Sequence, residues 1–165
     1  QLRCRRVVEK YFGDIPAGRA NVPAQAAIPT LPARVDALMH DRVSTTRLQR
    51  SWVVPGYGAQ DTEALDVAAQ VLGGLASSRL DNALVRGDQS AVAVTANMQQ
   101  FQRLSLFDVT VDVKPGVDPA VVSARLDALI ADFIKNGPSE DEVRRAVTGQ
   151  LSQTIQQLEP TGGAT

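Results

Sequence analysis

Between Asp61 and Leu84 the sequence DTEALDVAAQVLGGLASSRLDNAL can fold in few ways. Ala64, Leu65, Ala68, Val71 and Leu72 recur at three- and four-residue spacing, which builds one apolar stripe along a helix. Asp61 stands where an N-cap would accept orphan amide hydrogens. Gly73-Gly74 is expected to stop the helix, because glycine reaches the left-handed backbone conformation at little steric cost. Ser77 is then placed to cap a second, shorter helix with Leu80, Ala83 and Leu84 on its inner face, closed by Gly87. Such a helical hairpin is an ordinary part of an α+β core.

The flanking segments supply strands. Val35 to Met39 reads as a short strand, with His40-Asp41-Arg42 as its turn. Thr45 to Val54 reads as a longer one with Leu48, Trp52 and Val54 on one face, interrupted by Arg50 and ended by Pro55-Gly56. Ala91 to Met98 alternates Val92, Val94, Ala96 and Met98 against Ala93, Thr95 and Asn97. In Leu104 to Val113 the alternation is clearest: Phe107, Val109, Val111 and Val113 against Asp108, Thr110 and Asp112. Gln99 to Arg103 suits the loop between these two.

Lys114-Pro115-Gly116 turns the chain into a long helix, with Asp118 as N-cap and Pro119 in its first turn. Its inner stripe is Val122, Leu126, Leu129, Ile130 and Phe133, and Asn136-Gly137-Pro138 stops it. Ser139 and Glu142 have the capping-box spacing, opening a last helix that runs to about Leu158 with a glutamine-rich second half. Adjacent antiparallel strand pairs with helices between and after them predict an α+β two-layer sandwich, a mainly antiparallel sheet covered on one face by helices. The other face, carrying Asp108, Thr110 and Asp112, is expected to be exposed or to meet a polar partner.

Ahead of this unit, Val7, Val8, Tyr11 and Phe12 fall on one side of a helix and Arg5, Arg6, Glu9 and Lys10 on the other. Pro16, Pro23, Pro29 and Pro32 then break both helix and ladder. The expected organisation is residues 1–13 as the terminal helix of a preceding domain that is missing, 14–34 as a Pro-rich linker, and 35–165 as an α+β domain cut short at its C-terminal end. The opening without Met, inside a helical pattern, fits a piece of something longer.

Composition excludes several functions. With 165 residues the chain can bury roughly 70% of its unfolded surface in one domain. A net charge of −1 offers no basic field for nucleic acid, and sparse aromatics give no stacking platform. Cys4 is the only cysteine, so an internal disulfide or thiolate cluster is impossible. No apolar run approaches the ~18 residues that span a bilayer.

Five blocks then occur in order: VEKYFGDIPAG (Val8 to Gly18), the strand end Trp52 to Pro55, ALDVAAQVLGGLASSRL (Ala64 to Leu80), VKPGVD (Val113 to Asp118) and GPSEDEVRRA (Gly137 to Ala146). This series resembles the pitrilysin, or insulinase-like, M16 family of zinc metallopeptidases, specifically the second domain of the zinc-bearing half in bacterial members. The resemblance implies a larger enzyme of two halves, each of two similar α+β domains, closing around an unfolded peptide. It also implies zinc in the parent protein, held by an H-x-x-E-H helix and a downstream glutamate on the first domain. One histidine, His40, cannot supply that motif, and Glu140, Asp141 and Glu142 are acids that a helix start favours anyway. No catalytic, cofactor-binding or metal residue is assigned to this chain.

In the partner half of such enzymes an arginine and a tyrosine hold the scissile carbonyl. Aligning Leu84-Val85-Arg86 with that motif puts Asp88 and Val92 in their places, and neither donates to a carbonyl. Ser77 and Ser78 have no neighbouring histidine, Gly73-Gly74 lacks the Gly-Lys-Ser/Thr of a phosphate loop, and Arg79 suits a structural brace to Asp81 or Asp88. The expected role is a non-catalytic chamber wall that positions unfolded peptide, partnered by the missing catalytic domain and second half, as a homo- or heterodimer in the periplasm. The alternative is a scaffold subunit of the same fold, of the kind found in respiratory core proteins and processing peptidases; an unrelated peptide-binding α+β module is the third.

Overall fold

The computed structural model describes residues 2–16, 18–19 and 30–158. In chain order it contains α1 (Leu2–Phe12), β1 (Arg47–Pro55), α2 (Thr62–Ala69), β2 (Ala91–Gln100), β3 (Leu104–Val113), α3 (Pro119–Asn136) and α4 (Glu140–Leu158). Two π-helical segments, Gln70–Gly74 and Asp81–Gly87, make up the rest of the helical hairpin. The sheet has the order β1-β3-β2 and is antiparallel throughout.

The most regular strand in the sequence takes the centre. β3 pairs along its whole length with β1 on one side and β2 on the other. Its row Phe107, Val109, Val111 and Val113 is buried beneath the helices. Leu72, Leu80, Leu84, Val122, Leu126 and Ile130 close over that row and complete the core. Strand and helix periods therefore point their apolar sets at one another, the condition for a two-layer α+β fold. On the opposite face the carboxylate of Asp108 is buried and accepts from Gln99 Nε2 at 2.8 Å and from Ser51 Oγ at 2.5 Å. One side chain thus ties the three strands together on the polar side. Thr110 and Asp112 are half-buried there, between the exposed rows of β1 and β2.

Several local expectations need correction. Val35 to Met39 forms no strand: it has no regular secondary structure, and Val35, Leu38 and Met39 are strongly exposed. Asp61 makes no side-chain cap; instead Thr62 is buried and its Oγ1 donates to the carbonyl of Gly56. Gly73 and Gly74 stay right-handed, and among the described residues positive φ is confined to Gly58, Gly116, Gly137 and Gln89. Gly73 is required for another reason. A Cβ there would lie 2.5 Å from the amide nitrogen of Ala96, so its absence lets the helix rest on the backbone of β2. The second helix starts one residue later than expected: the amide of Asn82 donates to the Ser78 carbonyl, while Ser77 accepts only from the Asn82 side chain.

Other signals are realised as read. Asp118 accepts from the Ala120 amide at 2.9 Å, and Gly137 at φ 71° ends α3. Ser139 and Glu142 form a reciprocal capping box at the start of α4. The apolar face of α1 (Val7, Val8, Tyr11 and Phe12) is exposed.

Gly73→Ala is expected to destabilise the domain by about 2–3 kcal/mol, because backbone rather than a flexible side chain occupies the space. Urea denaturation checks this; a loss below ~0.5 kcal/mol would show that the contact with β2 does not constrain the fold.

Candidate functional site

The helical hairpin bends at Leu75–Ser78, between its two π-helical segments. Arg79, the first helical residue beyond the bend, reaches across to α4. Its Nε and Nη2 donate to the two carboxylate oxygens of Glu142 at 2.9 and 2.7 Å, and Nη2 also donates to the carbonyl of Gly137. The guanidinium sits 5.1 Å from the centre of the Phe133 ring. Both charged side chains are mostly buried, so the bidentate geometry keeps its strength. Arg79 with two hydrogen bonds from Ser139 holds the Glu142 carboxyl down at about 2.

Beside this bracket lies a small pocket of about 10 Å³, lined by Gln70, Leu75, Ser77, Ser78, Glu142 and Arg145. Ser78 Oγ is the one buried side-chain polar atom without a hydrogen-bond partner among the described residues. The pocket has room for about one water molecule, not for a peptide or a cofactor.

The larger surface is the free edge of the sheet. β1 pairs with β3 over nine residues without a register shift, and among the described residues no strand pairs with its outer side. Its core-side row, Leu48, Arg50, Trp52 and Val54, faces the helices at the border of the core. Arg50 can occupy that row because Asp127 of α3 accepts from its Nε at 2.9 Å and Ser123 accepts from its Nη2 at 2.6 Å. Arg34, from the chain before β1, donates to the same carboxylate at 3.0 Å. The bonds from Arg50 and then Arg34 hold the Asp127 carboxyl below its usual range.

Toward the end of β1 the surface is apolar. Trp52 meets Phe107 edge-to-face at 6.0 Å and remains 39% exposed. Val53, Tyr57 and Phe101 are more exposed still, and the Tyr57 amide donates to the Phe101 carbonyl at 2.8 Å. Exposed apolar side chains thus stand near the end of this strand edge, Trp52 on the core-side face and Val53 on the other, with Tyr57 and Phe101 just beyond the strand ends.

The residues weighed in the sequence are dispersed. His40 lies in exposed chain, where Asp41 accepts from the Arg42 amide. Glu140 and Asp141 are exposed in the first turn of α4, while Glu142 is engaged by Arg79. Asp81 pairs with Arg86 and Asp88 with Arg125, so the brace from Arg79 goes to Glu142 and Gly137 instead of to either aspartate. Val92 is half-exposed on β2. Among the described residues no three histidine, cysteine or acidic side chains gather as a metal-binding group. The Arg50–Asp127 pair was not singled out in the sequence. Its signal was the charge on an otherwise apolar row of β1, which demands an opposite charge from the layer above.

Residues 4–150 match the family model for the peptidase M16 inactive domain. The chain belongs to that family. Solved structures agree in fold. A protease from Helicobacter pylori superposes with a TM-score of 0.77 at 21% identity, covering 98% of this chain and 40% of that one. The inactive peptidase domain of a candidate zinc protease from Bordetella parapertussis gives 0.61 at 24% identity, covering 74% of this chain and 67% of that one. The M16 inactive domain from Pseudomonas fluorescens gives 0.59 at 18%, covering 66% and 26%. The chain thus spans two fifths of the Helicobacter pylori protein and about two thirds of the Bordetella parapertussis one. No curated protein matches it. Among the described residues of this M16 inactive domain, no helix is long and apolar enough to cross a membrane.

The Arg79–Glu142 bracket sets an acid limit. Because the folded carboxyl titrates at about 2 instead of 4.5, its contribution is complete above pH ~5 and is lost as pH falls from 4.5 toward 2. Glu142→Gln is expected to cost roughly 3 kcal/mol at pH 7 and to flatten the stability profile between pH 5 and 2, as followed by urea denaturation across pH. Parallel profiles for the two proteins would contradict the bracket.

Proposed function

We propose that this inactive domain serves a zinc endopeptidase by holding an extended polypeptide along the outer edge of β1, while the metal is carried by a preceding domain. The observation that carries this reading is the β1 edge itself: nine regularly paired residues, an outer side that no strand pairs among the described residues, and Trp52, Val53, Tyr57 and Phe101 exposed at one end. A strand that adds to such an edge gains affinity from backbone hydrogen bonds with little demand on sequence, which suits a protease that takes unfolded chains. Alternate side chains of the added strand would then reach Trp52 on one face and Val53 on the other.

The other edge is a poorer acceptor. β2 is irregular between Ala91 and Ala93, and bulges of this kind commonly keep edges from pairing. The relatives with solved structures are described as proteases or as inactive domains of peptidases, which favours a peptidase role over that of an assembly scaffold. In this reading α1 is the terminal helix of the zinc-bearing domain, residues 14–34 link it to the present domain, and the parent protein works in the periplasm. Zinc enters through the parent alone; the residues described here contribute a surface that binds and orients the substrate chain.

Trp52 is the only tryptophan, so its fluorescence reports directly on the proposed edge. Titration with a reduced, alkylated and unfolded polypeptide is expected to shift the Trp52 emission to the blue. Tyr57→Ala combined with Phe101→Ala should weaken that binding by about tenfold, the loss of ~1.4 kcal/mol of apolar contact. Val92→Glu on the opposite edge should leave it unchanged. Unperturbed emission, or equal binding by the double variant, would reject the β1 edge as the peptide site.

A further inference from the structure

The backbone groups that the outer edge of β1 presents are set by the pairing on its inner edge. One step beyond the Arg47–Asp112 pair, the Val113 amide donates to the carbonyl of Thr46 opposite it, and the register runs without a shift to Pro55. In an antiparallel ladder such hydrogen-bonded pairs alternate with pairs that exchange no bonds. Leu48, Arg50, Trp52 and Val54 therefore turn their amides and carbonyls to β3, and Arg47, Gln49, Ser51 and Val53 turn theirs outward. The Gln49 carbonyl accepts from Arg50 Nη1 at 3.3 Å, and Pro55 has no amide hydrogen to give. Among the described residues the open stretch is thus Ser51 to Val53, with the Trp52 side chain between its two donors on the helix side.

Helix α3 passes above the same stretch. It follows β3 through the turn at Lys114 to Val117 and so runs back along the sheet in the direction of β1. Asp127 and Ser123 reach Arg50 from the flank of α3 that overlooks the edge. Ile134, two turns on from Asp127, returns to that flank. At about 1.5 Å per helical residue and about 3.3 Å per strand residue, it comes level with β1 between Trp52 and Val54. Ile134 is 76% exposed and Trp52 39%. We propose that Trp52 and Ile134 form an apolar subsite within the β1 edge, which selects a large aliphatic or aromatic residue at one position of an antiparallel bound strand. The inference rests on the reading of β1 as the peptide site. A residue of that strand opposite Trp52 makes no backbone hydrogen bond to β1, while its two neighbours bond to Ser51 and Val53. Side chains stand closest in pairs of this kind, so this position is read by its side chain and its neighbours by their backbone.

The subsite is tested with blocked peptides as long as β1, nine residues, that alternate threonine and serine around one central guest residue, with Trp52 emission giving the affinity. A leucine or phenylalanine guest should bind about tenfold more tightly than a serine guest, and Ile134→Ser should reduce that ratio to about threefold or less. N-methylation of the guest's own amide should change the affinity by no more than about threefold, because that amide points away from β1. N-methylation of either neighbour should weaken binding at least about tenfold. The reverse pattern of N-methylation, or a ratio that Ile134→Ser leaves unchanged, would overturn the subsite. Equal affinity of the leucine and serine guests, or no binding by either, while the reduced, alkylated polypeptide still binds overturns the subsite and leaves the β1 edge standing. Failure of every peptide and of the polypeptide to perturb Trp52 removes the edge, and the subsite with it.

Discussion

Everything in this domain hangs on the double pairing of β3. A strand with Phe107, Val109, Val111 and Val113 on one side must have a cover for that side and a neighbour on each flank, and it obtains all three. The helical hairpin and α3 are pressed onto the same row, so the helical layer has its place because the central strand has one apolar side. The polar side follows from the same alternation. Asp108 is tolerated at the centre because Ser51 and Gln99 reach it from the two neighbouring strands.

From that centre outward, constraint weakens, and the proposed peptide edge lies where it is weakest. The outer strand β2 is overlaid by the hairpin through the close approach at Gly73. The other outer strand, β1, is engaged through its side chains, by Asp127 and Ser123 with Arg50, by Phe107 with Trp52, and on the polar face by Asp108 with Ser51 and Asp112 with Arg47. Among the described residues its backbone edge is open, its end is apolar, and the segment before it exposes apolar side chains as well. The family supplies the context in which such a surface is useful: a domain of the M16 peptidases that is inactive by description.

Much of this was legible in the residues. Strict alternation fixed β3 to its final residue, and Asp118-Pro119 and Ser139 with Glu142 marked the starts of α3 and α4 as capping chemistry requires. The misses have physical causes. Val35 to Met39 is short and apolar enough to read as a strand, but that composition says nothing about whether a partner edge is met, and here it is not. Gly73 was read as a helix stop; its actual constraint is a tertiary contact with Ala96, invisible to local conformational reasoning. Asp61 gave way to Thr62 because a buried hydroxyl can reach the Gly56 carbonyl, which depends on how the preceding turn folds back. The brace from Arg79 was foreseen in kind, but its partner Glu142 lies far along the chain, where local spacing gives no guide.

The central claim is that an extended chain joins the outer edge of β1. A crystal structure of this chain with a short apolar peptide tests it most directly. The account predicts a fourth strand hydrogen-bonded to Arg47–Pro55, with a peptide side chain set among Trp52, Tyr57 and Phe101. A peptide bound along β2, or on the polar face across Asp108, would contradict it.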